Sequence, residues 1–252
     1  MRDRTLVCPQ CQGPLGSAPD AYHCDPCGRR YPILCGIPDF RLEPDRYLSL
    51  EDDRAKGARL HEGSDRCSFA EMLDRYWSMT PEVAPELARK FRAHQLAEER
   101  IAEAAWAGPG GPARPGGAAP LIVPGPLLDV GCSTAGLVAA AAKRGMAVTG
   151  VDAAFRWLVV GQVRLREAGV HATLVCANAE HLPFPGDTFA TVTAHDLVEH
   201  VVDPAPVFGE CRRVARPGAT CCFSTNNRYS LLPEPHVGVW AVGWLPSSWQ
   251  AD

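Results

Sequence analysis

The spacing of apolar and polar residues divides the chain into two unlike halves. From Leu127 onward, short β-branched runs alternate with helical stretches: "LLDVGC" at 127–132, a helix around Leu137 to Arg144, "AVTGVD" at 147–152, a helix from Ala154 to Glu167, "ATLVCANA" at 172–179, "FATVTAHD" at 189–196, a helix around Ala205 to Val214, and "ATCCFSTNN" at 219–227. Strict alternation of strand and helix implies right-handed crossovers, so the expected fold is α/β, with a doubly wound, mostly parallel sheet covered on both faces. Ligands of such sheets bind beyond the carboxyl ends of the strands.

The first half is patterned differently. Residues 42–65 are charged and poor in apolar side chains, which predicts a connector or a solvated helix. From Phe69 a helical period appears, with Leu73, Tyr76 and Trp77 on one face. Thr80-Pro81-Glu82 then supplies a helix N-cap followed by proline at the first helical position, and Val83, Leu87, Phe91 and Ile101 recur at helical spacing up to Trp106. These helices either pack on the main domain or form a cap over its ligand, with Tyr76 and Trp77 facing it. The stretch from Ala107 to Pro126 is dominated by Gly, Pro and Ala and predicts a flexible linker. The expected divisions are a small N-terminal module over 1–41, a helical connector or cap over 42–106, the linker over 107–126 and the ligand-binding core over 127–252.

Composition narrows the class. With 252 residues, 46% of them hydrophobic and 21% charged, the chain has the balance of an ordinary globular protein. A formal charge of −4 argues against a strong electrostatic grip on nucleic acid. The charged N-terminus, "MRDRTLVCPQ", lacks the pattern of a secretory signal, and no run of 18 apolar residues predicts a membrane span. A cytoplasmic location is therefore expected.

Four of the 11 cysteines stand in two C-x-x-C knuckles, Cys8 with Cys11 and Cys24 with Cys27, a dozen residues apart. Four thiolates at this spacing suit one tetrahedral metal, and a closed sulfur shell leaves no position for a substrate, so the site is expected to be structural. Zinc and iron both accept this geometry, and zinc is the expected ion. A module of about forty residues buries too little apolar surface to fold unaided, and the metal would supply most of its folding free energy. The following "RRYPILCGIPDFR", Arg29 to Arg41, resembles the signature that ends small zinc-ribbon domains fused ahead of some bacterial methyltransferases. Cys35 stands there where an acidic residue is common, and is expected not to ligate.

The strand ends carry the unusual chemistry. The turn "LLDVGCSTAG" approximates the phosphate-cradling G-x-G-x-x-G pattern, but its middle glycine is missing, and Asp129 would place a carboxylate near the ligand. That charge repels a pyrophosphate and suits a cationic amino-acid group. Asp152 closes the second strand about twenty residues beyond the turn, where an acidic side chain can accept from both hydroxyls of a ribose. A nucleoside joined to a cationic amino acid is S-adenosylmethionine.

Over roughly Leu127 to Asn227 the chain resembles, in order, the class I S-adenosylmethionine-dependent methyltransferases, whose core is a Rossmann-like sheet. "LLDVGCSTAG" resembles their first motif, "VTGVDAA" the second, "ANAEHLPFPGDTFATVTAHDLVEHV" the third and fourth, and "ECRRVARPGATCCFSTNN" the approach to the fifth strand. The resemblance implies that Asp129, Gly131, Cys132, Ser133 and Gly136 surround the methionine portion. Asp152 would hold the ribose, Ala153 and the Asn178-Ala179-Glu180 turn the adenine, and His195 the sulfonium end. Where the family more often has aspartate this chain has Asn178, so a bond to the adenine amino group would come from its amide oxygen.

Methyl transfer from a sulfonium is an in-line displacement that needs alignment, and a base only when the acceptor must lose a proton. His195, His200 and His236 are the candidates, with His236 preferred because it follows the fifth strand, where this family often builds its acceptor site. The expected acceptor is a small molecule of biosynthetic, secondary metabolism. Two alternatives stay open, beside a weaker reading as a nicotinamide-dependent oxidoreductase that rests only on the glycine turn and Asp152. One is an rRNA or tRNA methyltransferase, since some rRNA guanine methyltransferases carry a zinc ribbon, although "AHDL" replaces their asparagine-proline-proline-aromatic motif. The other is a catalytically weak scaffold that docks a partner through its ribbon. Only 27 residues follow Thr225, where the family normally continues with further strands; an incomplete sheet would expose an apolar edge and favour a homo-oligomer.

Overall fold

The structure, a computed structural model, describes residues 2–106 and 123–225. The N-terminal part is an antiparallel meander of five short strands in sequential order: β1 (Arg2–Val7), β2 (Pro14–Ser17), β3 (Ala21–His23), β4 (Arg30–Leu34) and β5 (Ile37–Pro38). Both cysteine knuckles occupy its turns, and they are built alike. Cys8 receives a bond from the Gln12 N–H and donates its own N–H to Gly13; Cys24 does the same with Gly28 and Arg29, all at 2.8–2.9 Å. These bonds curl each loop back on its first cysteine.

Three helices follow: α1 (Leu50–His61), α2 (Phe69–Ser78) and α3 (Pro85–Trp106). Ser49 caps α1, and Ser68 with Glu71 forms a reciprocal capping box on α2. The expected helix start at Thr80 is corrected. Thr80 Oγ1 donates to the Tyr76 carbonyl and the Thr80 N–H bonds to Trp77, so this residue closes α2 instead of opening α3. Residues 81–84 make a turn, and Pro85 takes the first helical position.

The second half is the α/β unit: β6 (Leu127–Val130), α4 (Gly136–Lys143), β7 (Val148–Asp152), α5 (Phe155–Glu167), β8 (Thr173–Cys176), β9 (Phe189–His195), α6 (Pro204–Val214) and β10 (Ala215–Ser224). All its pairings are parallel, in the order β10-β9-β6-β7-β8. The order reverses at β6, which puts the topological switch point at the end of that strand. β6 is buried at every position and β9 at every position before His195, as expected for strands covered on both faces.

The N-terminal segment is packed against this sheet. Asp39 bridges to Cys176 and the Phe40 N–H donates to the Cys176 carbonyl at 2.7 Å, so the chain leaving β5 covers the β8 edge. Leu15, Tyr31 and Phe40 share one hydrophobic cluster with Leu128, Val130, Leu182 and Phe184. A side chain the size of Phe40, fully buried, contributes about 1.5–3 kcal/mol.

A buried ionic network pins α1 to α5. Asp53, fully buried on α1, accepts from Arg41 at 2.5 Å and Arg156 at 2.7 Å, and from the Phe155 and Arg156 N–H groups at 2.8 and 3.3 Å. α5 has no side-chain cap of its own, and Asp53 supplies one from another helix. The connector read as charged and apolar-poor is therefore in part interior. Closely beside it, Gly57 faces Phe155, and a Cβ there would lie 2.4 Å from the ring.

Candidate active site

A cleft of about 2220 Å³ opens at the carboxyl ends of the parallel strands, with α2 and α3 along one side. Every predicted site residue of the described core lines it: Asp129, Gly131, Cys132, Ser133 and Gly136 after β6, Asp152 and Ala153 after β7, Asn178, Ala179 and Glu180 after β8, and His195 and His200 after β9. His236, like Asn226 and Asn227, lies outside the described residues.

The glycine turn shows why its middle glycine can be absent. Gly131, Ser133 and Ala135 all have positive φ, at 76°, 48° and 61°. Serine thus occupies the left-handed conformation that glycine would adopt without strain. Its N–H is engaged by Asp152 Oδ2 at 2.8 Å, so the donor a pyrophosphate would use is bound to a carboxylate. Gly136 is required for another reason. A Cβ there would lie 2.3 Å from the Glu98 Cβ, because α3 passes directly over the start of α4.

Asp129 is only 4% exposed and accepts from Thr193 Oγ1 at 2.8 Å. Burial, reinforced by the fields of Glu98 and Asp152, outweighs that bond and pushes its carboxyl up to about 7. Such a group gains from a cation placed beside it. Burial likewise raises Asp152 above the usual carboxylate range, against the N–H bonds from Ala154 and Ser133. Each of its oxygens accepts one of those bonds, at 2.7 and 2.8 Å, and keeps a second lone pair for a ligand hydroxyl.

Asn178 is placed otherwise than the resemblance implied. Its Oδ1 accepts from the Leu42 and Glu43 N–H groups at 2.9 and 3.2 Å, and its Nδ2 donates to the Glu43 carbonyl at 3.2 Å. Both lone pairs of the amide oxygen are occupied, so the side chain holds the connector and has no acceptor left for an adenine amino group. Arg41 extends the same clamp by donating to the Ala153 carbonyl at 2.9 Å.

At the other end of the cleft, His195 Nδ1 lies 2.8 Å from Ser224 Oγ, and His200 Nδ1 lies 3.4 Å from the Tyr47 hydroxyl. The helical side presents aromatic rings: Tyr76 stacks on Trp157 at 3.7 Å and Trp77 on Phe91 at 5.7 Å. Glu98 on α3 accepts from Thr134 at 2.7 Å and from Arg164 at 3.1 Å, joining the helical side to the glycine turn. Sequence reasoning missed Arg41, Asp53, Lys56 and Glu98, because each acts across elements distant in the chain.

The sulfur atoms of Cys8, Cys11, Cys24 and Cys27 all lie within 4.8 Å of one another, with Cys11 to Cys24 at 3.4 Å and Cys8 to Cys27 at 3.6 Å. A tetrahedron with metal–sulfur bonds of about 2.3 Å has edges of about 3.8 Å, which this cluster fits. Cys35 lies outside the cluster, in the turn between β4 and β5.

Residues 128–223 match the family model described as "Methyltransferase domain". A ubiquinone biosynthesis O-methyltransferase of Paracidovorax citrulli is 34% identical over 170 residues, 66% of this chain and 62% of that protein. One of the same name from Chromobacterium violaceum is 40% identical over 104 residues, 40% of this chain and 44% of that protein. The chain thus spans less than two thirds of the length of these relatives. Among solved structures, a Haemonchus contortus phosphoethanolamine N-methyltransferase 2 in complex with S-adenosyl-L-methionine is 28% identical, with a TM-score of 0.36, covering 40% of this chain and 24% of that one. Residues 128–223 thus match a methyltransferase domain, and over that stretch the relatives and the ordered motifs are similar to class I S-adenosylmethionine-dependent methyltransferases.

Proposed function

We propose that this protein transfers the methyl group of S-adenosylmethionine to an oxygen of a small biosynthetic molecule. The observation that carries the reading is the convergence of Asp129, the glycine turn and Asp152 at the switch point of a parallel sheet, in a cleft that continues along an aromatic wall. The relatives' names support an oxygen acceptor. In this reading Asp129, Gly131, Cys132, Ser133 and Gly136 receive the amino-acid portion. Asp152 receives the ribose, and Ala153, Ala179 and Glu180 border the adenine, while His195 borders the sulfonium. When bound, the donor supplies an activated methyl group with a neutral leaving group. The chain's own task is to align it with the acceptor and exclude water. His195 and His200 are the described candidates for removing a proton from an acceptor hydroxyl. Four cysteines, Cys8, Cys11, Cys24 and Cys27, would hold a structural zinc ion, and a cytoplasmic setting would keep the remaining thiols reduced.

Calorimetric titration with S-adenosylmethionine, followed by release of S-adenosylhomocysteine in the presence of a panel of phenols and catechols, tests the reading. Saturable binding and product release with a hydroxylated acceptor are expected. Failure to bind the donor would sink the cofactor assignment; binding without product release from any hydroxylated acceptor would sink the O-methyltransfer assignment.

A further inference from the structure

Among the described residues, three cations that the methyl-donor reading does not use line the cleft: Arg46, which is exposed, Arg156 and Lys56. Lys56, on α1, is one of only three lysines in the chain, with Lys90 and Lys143. It is half-buried and lines the cleft. Its Nζ donates to Thr80 Oγ1 at 2.6 Å and lies 4.4 Å from the centroid of the Tyr76 ring. Thr80 has its own proton on the Tyr76 carbonyl, so the hydroxyl serves the ammonium as an acceptor.

An ammonium has three N–H donors, and among the described residues its one side-chain hydrogen-bond acceptor is a neutral hydroxyl. Among the described residues no carboxylate lies within ion-pair distance of Lys56. Arg156, by contrast, is satisfied by Asp45 and Asp53, and Asp53 is also committed to Arg41. Burial, followed by the positive field of Arg156, pushes the Lys56 ammonium below its ordinary range, while Glu82 and Asp53 oppose this more weakly. A half-buried cation in these surroundings gains from an anion.

The groups beside it define the rest of the ligand. Tyr76, Trp157, Trp77 and Phe91 form two stacked pairs along the same wall, suited to a flat, apolar body. We propose that Lys56 is the anion-binding residue of the acceptor subsite: the acceptor carries a carboxylate or phosphoryl group on a flat, apolar body, which packs on the aromatic wall while Lys56 takes the oxyanion. This rests on the methyltransferase reading and deepens it, because it names the substrate class.

The test uses the full chain with S-adenosylhomocysteine present. Titrations of 3,4-dihydroxybenzoate, phenyl phosphate and the neutral 3,4-dihydroxybenzyl alcohol are compared for the wild type, Lys56→Met and Lys56→Arg. In the wild type at least one anionic probe should bind about tenfold or more tightly than the neutral one. That preference should vanish in Lys56→Met and return in Lys56→Arg, with S-adenosylhomocysteine affinity unchanged in both. The two anions distinguish a carboxylate from a phosphoryl site. No anion preference in the wild type, or a preference that survives Lys56→Met, overturns the proposal. An equal loss of S-adenosylhomocysteine affinity would reassign Lys56 to the donor and also overturn it. Thermal unfolding of Lys56→Met separates loss of the site from loss of the fold, and Lys56→Arg keeps the charge test intact if that variant is unstable. The donor is titrated separately, so failure of the cofactor reading shows as absence of S-adenosylhomocysteine binding, whatever the anion probes do.

Discussion

Asp129 concentrates the chemistry of the cleft in one carboxyl group. Its single side-chain bond, from Thr193, does not offset burial and two neighbouring carboxylates, so it titrates near neutrality. Because its folded value lies above that of an unfolded aspartate, the ligand-free protein holds a proton that the unfolded chain has given up. Its contribution to stability is therefore present at low pH and lost as pH rises through about 7. A cationic ligand reverses the sense, since only the ionised carboxylate attracts it. Affinity for S-adenosylhomocysteine should rise about tenfold from pH 6 to pH 8. Calorimetry at the two pH values checks this, and Asp129→Asn should flatten the dependence. A wild-type affinity that falls with pH would rule out Asp129 as the cation's partner. Ser133 makes a complementary point: a non-glycine residue holds a left-handed conformation because its N–H is fixed by Asp152.

At the scale of elements, the fold depends on groups that join helices far apart in sequence. Asp53 reaches from α1 to cap α5 and pairs with both Arg41 and Arg156, whose remaining charge is met by Asp39 and Asp45. Arg164 reaches from α5 to the Thr134 carbonyl of the glycine turn and to the Gln95 carbonyl of α3. Removing one member of a buried ion cluster leaves its partners charged and unpaired, which costs more than the intact cluster contributes. Asp53→Ala should lower unfolding free energy by about 3–5 kcal/mol, read from urea denaturation. A loss below about 1 kcal/mol would mean that water or a rearranged Asp45 takes over the role.

For the whole molecule, the N-terminal module and the ligand cleft are mechanically joined. The chain leaving β5 pairs with the β8 edge at Asp39 and Phe40, and continues through Arg41, Leu42 and Glu43 into bonds with Ala153 and Asn178, which line the cleft. Loss of a metal from the four cysteines would release the module and, through this segment, the expected adenine end. Chelating the metal from a zinc-loaded protein should increase amide exchange at Phe40, Leu42 and Glu43. It should also weaken S-adenosylhomocysteine binding by about 5- to 150-fold, the usual range of coupling between two sites. Unchanged exchange at those amides after verified metal removal would show that the segment is held by the core alone.

Local patterns made the order of strands and helices, the two cysteine knuckles and the chemically loaded strand ends legible in the sequence. Periodicity and turn composition depend on neighbours in the chain, and both were present from Leu127 to Ser224. The helix start at Thr80 was misplaced because a threonine before proline is equally able to close the preceding helix, and only the Tyr76 carbonyl decided between the two. The commitment of Asn178 to the connector, and the burial of Asp53 within a segment patterned as solvated, were likewise settled by tertiary contact. So was the placing of Lys56 beside an aromatic wall, for a lone lysine carries no periodic signal. Neighbours along the chain were enough to mark the alternating elements after Leu127 and the kinds of side chain that stand at their ends. Only the tertiary structure decided which polar groups are already spent on one another and which remain for a ligand, because hydrogen-bond partners and burial depend on groups distant in the chain.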